Sequence, residues 1–345
     1  MKHFLEENNF TKEEIESVFQ QAFKFKRERD QRPSTDLLGQ TWGMLFYKNS
    51  TRTRVSFEVG VREMGGHPLM LDLSNTQIGR GESIEDTAKV LSRFLDGLII
   101  RTHGHEIIKE FAHHAKIPVV NALTDFLHPC QIYADCMTIL EKTGSYENPF
   151  SGLQGKKLVF FGDTSCNMAN SWILAGALWG MEIWLCGPEE FKPHEEIKNF
   201  CDTAGLSRNW NFTTDCIEAS KDADVLYTDV WVSMGCESEE NDRKAKMSPY
   251  QVKAQFFEHA KDDALFMHCM PAHPGEEVSD EVLKSPKSIL FDQAENRLHI
   301  QKATPKQVTI EAYHKEEVAL ARRRQAQTSE PVTARPAPEP SSESI

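Results

Sequence analysis

The run Ser50-Thr51-Arg52-Thr53-Arg54 directly follows the apolar stretch Thr41-Trp42-Gly43-Met44-Leu45-Phe46-Tyr47. This order predicts a buried strand that ends and turns into a helix, with Val55, Phe57, Val59 and Met64 continuing a mixed helical face. The first amides of a helix have no internal partners and attract anions. Hydroxyls and guanidiniums crowded into the same turn add charge-assisted donors. The chemistry such a turn suits is the gripping of a small phosphorylated substrate. His128-Pro129-Cys130-Gln131 is a second candidate, with Pro129 at the first helical position, His128 as its cap and Gln131 near the free amides. A neutral imidazole and a primary amide there can read a carbonyl and an amino group together. Arg101 closes the apolar run Gly97-Leu98-Ile99-Ile100. A charge ending a buried strand needs a partner, which a ligand phosphate or a structural acid would supply.

The second half carries further candidates. Phe161-Gly162-Asp163-Thr164-Ser165 lacks the GxGxxG spacing of a dinucleotide site, so a nicotinamide cofactor is disfavoured. Asn167 could read a carboxylate or an amine, and Asp229 can take an ammonium group. The turn Ser233-Met234-Gly235 offers backbone N–H groups to a carboxylate. Together these suit an α-amino acid. His268-Cys269-Met270-Pro271 follows the strand-like Ala264-Leu265-Phe266-Met267. Neighbours on a strand face opposite ways, so His268 and Cys269 are expected to point apart. With no second His/Cys cluster at ligand spacing, no metal is expected. Cys269 is expected to face the cleft without covalent catalysis, and His103, His105, His113 and His114 to lie at the surface.

The elements that must position these residues alternate along the chain. Strands are predicted at 42–47, 68–73, 97–101 and 118–122, with helices at 53–64, 83–95 and 105–115. Thr11-Lys12-Glu13-Glu14 reads as a capping box opening a first helix to about Lys26. After a polar break at Gly144–Gly155 the alternation restarts, with strands at 157–161, 182–186, 225–229 and 264–268 and a helix from Asn167 to Trp179. Short apolar runs separated by amphipathic helices predict an α/β protein with two doubly wound parallel-sheet domains, residues 1–148 and 149–324. Residues 293–324 read as mostly helical, with Pro305 at a break or a helix start. The segment 325–345, rich in Pro, Ser, Glu and Ala, reads as a disordered tail.

At 345 residues the chain exceeds what one core normally serves, which fits two domains. A net charge of −13 argues against a nucleic-acid or anionic-membrane surface, without forbidding a basic cleft. The eight cysteines include no CxxC pair, which disfavours a zinc ribbon and fits a reducing, cytoplasmic compartment. The N-terminus has no apolar signal core, and no apolar run approaches ~20 residues.

Taken in order, Ser50-Thr51-Arg52-Thr53, Gln77-Ile78-Gly79-Arg80-Gly81-Glu82-Ser83, His128-Pro129-Cys130-Gln131, Asp229 with Ser233-Met234-Gly235, His268-Cys269-Met270-Pro271 and Ala294-Glu295-Asn296-Arg297 resemble the ornithine carbamoyltransferases, over about Phe4 to Lys302. Single motifs are shared with other carbamoyltransferases; Asp229 with the Ser-Met-Gly turn favours ornithine. The resemblance implies a first domain for carbamoyl phosphate, a second for ornithine, the active site in the cleft between them, and a C-terminal helix packing back toward the first. It implies a homotrimer, or a multiple of trimers, and no cofactor. Ser50, Thr51, Arg52, Thr53, Arg101 and, from a neighbouring subunit, Gln77 would hold the phosphate. Thr53, Arg101 and His128 would hold the carbonyl oxygen; Gln131, Arg297 and the backbone at Cys269 and Met270 would hold the amino group. Asn167, Asp229, Ser233 and Met234 would bind ornithine, and Cys269 would join Arg52, Arg101 and His128 in catalysis. Members most often carry Leu where this chain has Met270, a change that a backbone role tolerates. The competing readings are a carbamoyltransferase for putrescine, N-acetylornithine or aspartate, and a catalytically inactive carbamoyl-phosphate-binding protein.

Overall fold

The computed structural model describes residues 1–328 apart from 32, 49, 73–80, 147, 208 and 233–239, with side chains described to residue 310. The expectations for Gln77, Ser233 and Met234, and for the tail beyond residue 328, lie outside the described residues.

The first half contains α1 (Lys12–Arg27), β1 (Thr41–Phe46), α2 (Thr51–Glu63), β2 (His67–Asp72), α3 (Ile84–Leu91), β3 (Gly97–Arg101), α4 (His105–His114), β4 (Val119–Leu123) and α5 (Pro129–Thr143). Its four strands form one parallel sheet in the order β2-β1-β3-β4. Strand β3 is buried along its whole length, as a strand covered on both faces must be. Gly97 is required there: a Cβ would lie 2.6 Å from the Trp42 ring, which is itself fully buried.

After α6 (Pro149–Leu153), which sits inside the polar break, come β5 (Lys157–Phe161), α7 (Asn167–Trp179), β6 (Glu182–Cys186), α8 (Glu195–Thr203), β7 (Trp210–Thr213), α9 (Cys216–Ser220), β8 (Val225–Thr228), α10 (Glu240–Met247), α11 (Ala254–Phe257), β9 (Leu265–His268), α12 (Asp280–Lys284) and α13 (Leu290–Thr328). The second sheet is also parallel, in the order β7-β6-β5-β8-β9. Two parallel sheets with helices between their strands bear out the α/β reading. Strand β7, on the sheet edge, was not anticipated: its Trp-Asn-Phe-Thr run is only half-buried and carries little apolar signal.

Two expectations are corrected here. Pro305 neither breaks nor starts a helix; α13 runs through it, with Ile300, Ala303 and Val308 buried in the main core. Packing on both sides of the proline outweighs the one ladder bond it removes. The same helix is described to Thr328. His105 is buried, not superficial: its ring sits 3.1 Å from Glu6 and 3.0 Å from Thr124, tying the N-terminal segment to the sheet.

One stripe of α13 docks on α2. Arg297 reaches Thr53, Gln301 bonds Ser56, and Lys302 forms a buried pair with Glu63 at 3.0 Å. Gly60 permits this approach, since a Cβ there would meet Lys302 at 3.1 Å. The C-terminal helix thereby delivers a guanidinium to the start of α2.

Candidate active site

Ligands of open parallel sheets sit outside the carboxyl ends of the strands. That is where the candidate residues gather. Ser50 caps α2, its Oγ accepting from the Thr53 amide. Thr51 and Arg52 are exposed in the first turn, and Thr53 is fully buried. The Thr53 hydroxyl accepts from Arg101 Nη1 at 3.4 Å and from Arg297 Nη2 at 2.7 Å. Arg101 and Arg297 are only 7% and 4% exposed. Among the described residues, neither they nor Arg52 form an ion pair. Burial, then the neighbouring Arg297, pushes Arg101 down to about 10. Burial also lowers Arg297. Buried cations are normally matched by acids. Three converging guanidiniums without one describe a receptacle for an anion.

His128 caps α5 ahead of Pro129, as expected, and is buried. Its own amide donates to Ser171 Oγ at 2.8 Å, while its side chain makes no capping bond. Burial, reinforced by Arg297 and Arg101, holds its pKa well below the usual histidine value, so the ring is neutral at pH 7. Buried polar atoms nearly always find partners. Among the described residues, four here lack a protein partner: Arg101 Nε, Arg297 Nε, His128 Nδ1 and Gln131 Oε1. All four belong to residues expected to hold one small ligand.

Across the cleft, Asp229 Oδ1 accepts from the Cys269 thiol at 2.9 Å and from the Val230 amide at 2.7 Å. Burial, then Asp229, raises the Cys269 pKa well above the ordinary thiol value. A thiol held protonated is no nucleophile, which agrees with a non-covalent role. Asn167 does not stand free: its amide donates to the Thr124 carbonyl beyond β4, bridging the two halves. Asp163 is likewise committed, paired with buried Arg243.

Met270 adopts a left-handed backbone (φ 59°) and precedes a cis bond to Pro271. That φ costs a non-glycine residue about 1–2 kcal/mol. Two bonds hold it: its amide donates to His268 Nδ1 at 2.8 Å, and its carbonyl accepts from Arg52 Nη2 at 2.9 Å. These bonds engage only its backbone, while its side chain packs against the second-domain core.

The expectation that His268 and Cys269 point apart is corrected. Strand β9 ends at His268, so the alternation of faces does not extend to Cys269. Donor atoms of Asp229, His268 and Cys269 all lie within 4.8 Å of one another. The thiol hydrogen is committed to Asp229 and the His268 Nδ1 lone pair to the Met270 amide.

Residues 2–141 match the carbamoyl-phosphate-binding domain, and residues 154–308 the Asp/Orn-binding domain, of the aspartate/ornithine carbamoyltransferases. The chain belongs to this family. It is 47% identical to an ornithine carbamoyltransferase of Methanoculleus marisnigri over 303 residues, 88% of this chain and 95% of that protein. It is similar in structure to the Pyrococcus furiosus ornithine carbamoyltransferase, with a TM-score of 0.79, 44% identity, and 88% and 95% of the two chains covered. The ornithine transcarbamoylase of Giardia lamblia, at 30% identity, gives a TM-score of 0.78 over 89% of this chain and 98% of that one.

In this carbamoyltransferase, sequence reasoning missed what stands behind the site. Asp135, wholly buried, accepts from Gln131 Nε2, Tyr227 Oη and Gln293 Nε2, each at 2.8 Å. Gln293 Oε1 in turn accepts from the His268 amide at 2.9 Å. One carboxylate thus joins α5, β8, β9 and α13. The only local trace was Asp135 lying one helical turn after Gln131. Burial also pushes Glu7 up to about 8, partly offset by the Ser171 hydroxyl that receives the His128 amide. Between about 4.5 and 8 the folded state keeps a proton that the unfolded chain has lost, so stability falls as pH rises through that window. Glu7→Gln is expected to gain stability over the parent as pH is raised from 5 to 8, by up to about 1.4 kcal/mol per pH unit. Denaturant melts across that range test it; a difference that does not change with pH refutes it.

Proposed function

We propose that the chain transfers the carbamoyl group of carbamoyl phosphate to the δ-amine of L-ornithine, giving L-citrulline and phosphate. The observation that carries this reading is the cluster of Arg52, Arg101 and Arg297 around Thr53 at the start of α2, which forms no ion pair among the described residues. Residues 1–148 form the carbamoyl-phosphate domain and 149–324 the ornithine domain, with α13 returning to the first. Ser50, Thr51, Arg52, Thr53 and Arg101 hold the phosphate, with Gln77 of a neighbouring subunit in a cytoplasmic homotrimer. Arg101, Thr53 and neutral His128 stabilise the oxyanion that forms when the amine adds to the carbonyl carbon. Gln131, Arg297 and the Cys269–Met270 backbone fix the carbamoyl amino group. Arg52 and the helix-start amides stabilise the departing phosphate. Asn167, Asp229, Ser233 and Met234 orient ornithine, whose α-ammonium replaces the Cys269 thiol as the donor to Asp229.

A citrulline-type assay with ornithine, putrescine, N-acetylornithine and aspartate tests this, paired with carbamoyl-phosphate calorimetry. Turnover confined to ornithine is expected. Preference for another acceptor would overturn the substrate, and binding without turnover would overturn the enzyme. The attacking amine must be neutral, and with a lysine-like pKa near 10.4 only about one molecule in 10³ is neutral at pH 7. At saturating carbamoyl phosphate, kcat/KM for ornithine should therefore rise close to tenfold per pH unit from 6 to 8. A flat profile would remove the need for a neutral nucleophile.

A further inference from the structure

We propose that Cys186 and Cys216 are a redox-active dithiol, a modification site on the second sheet made of residues that the carbamoyl-transfer reading does not use. Cys186 is the buried last residue of β6, in register with Thr213 of the edge strand β7. The chain leaves β7, turns through Asp215 and begins α9 at Cys216. Asp215 fixes that start, accepting from the Ile217 and Glu218 amides at 2.9 and 3.0 Å. The two sulfurs consequently stand 3.7 Å apart, with the Cys186 thiol donating to Cys216 Sγ. A disulfide needs about 2.05 Å, so bonding requires the sulfurs to close by roughly 1.7 Å.

The two thiols have different surroundings. Cys216 is partly exposed, and the hydrogen bond from Cys186 lowers its pKa below the ordinary thiol value. Cys186 is enclosed, and its pKa is raised. Cys130, Cys136, Cys166 and Cys269 are all held above the usual range by burial. Reactivity follows thiolate character and exposure, so Cys216 is the attacking sulfur and Cys186 the resolving one. The oxidant is a small-molecule disulfide. Cys216 thiolate attacks one of its sulfurs, forms a mixed disulfide and expels one thiolate. Cys186, losing its proton, then attacks Cys216 Sγ and expels the second. Two protein thiols are oxidised, and one disulfide is reduced to two thiols. The new bond closes residues 186–216 into a loop around β7, clamping the edge of the sheet. It also withdraws Cys216 from the Pro249 carbonyl, now 3.7 Å away.

The test exposes the full chain to oxidised glutathione and follows it by intact mass, peptide mapping and thermal melting. The parent should lose two hydrogens, yield a Cys186–Cys216 bridged peptide and melt several degrees higher. Cys186→Ala, which keeps a small apolar side chain in the core, should instead trap glutathione on Cys216. Cys216→Ser should leave Cys186 a free thiol. A stable glutathione adduct on Cys216 of the parent would overturn the assignment. So would a bridge joining other cysteines first, or a parent that stays fully reduced.

Discussion

Replacing Arg52 with alanine is expected to lower kcat about 10³-fold, roughly 4 kcal/mol of transition-state stabilisation, while leaving the melting temperature nearly unchanged. Arg52 stands in the first turn of α2, exposed, and its side chain's one hydrogen bond among the described residues runs to the Met270 carbonyl. The helix start does not depend on it, because Ser50 caps the turn and Thr53 is anchored by two other guanidiniums. Alanine is also the better helix former. What the variant lacks is a planar, fixed charge where the leaving phosphate gathers negative charge. Lysine at the same position should recover little, since a point charge does not reproduce the fork. Arg62→Ala, far along the same helix and paired with Glu58 at 2.9 Å, serves as the control and should turn over normally. If Arg52→Ala retained turnover within about threefold of the parent, the phosphate would have to be held elsewhere.

How much of this was legible in advance follows from the range of the interactions. Ser50 as a cap, Pro129 at a first helical position and the alternation of strand and helix are local, so spacing and residue type reveal them. The convergence of Arg101 and Arg297 on Thr53 spans 48 and 244 residues, and only the family resemblance anticipated it. Nothing anticipated Asp135, whose partners Tyr227 and Gln293 come from β8 and α13. His105 read as a surface residue because its partners, Glu6 and Thr124, flank it at a distance in sequence. Cys269 misled for a different reason. The face rule holds within a strand, and β9 stops one residue too early for it to apply. Errors of this kind concentrate at strand ends, which is also where parallel sheets place their chemistry.

Arg101→Met should separate function from stability in opposite directions. Its guanidinium is 7% exposed, bonds only weakly to Thr53 at 3.4 Å, and faces Arg297 and Arg52 with no acid in bonding range among the described residues. Burial and the neighbouring Arg297 push its pKa down to about 10, so the fold disfavours that charge. Methionine is linear and apolar, fills much of the same space and removes both the desolvation cost and the repulsion. Thr53 keeps its shorter bond to Arg297. The free variant should therefore gain about 1–3 kcal/mol of stability, a rise of several degrees in melting temperature. Turnover should fall by at least 10²-fold, because the same charge stabilises the oxyanion. The ligand response separates the two effects. A phosphonate mimic of carbamoyl phosphate at about 100 times its Kd should stabilise the parent by about 2.7 kcal/mol, and the variant far less. A destabilised variant would overturn the reading of Arg101 as an unneutralised charge. A variant that is stabilised yet fully active would leave the cluster without its anion.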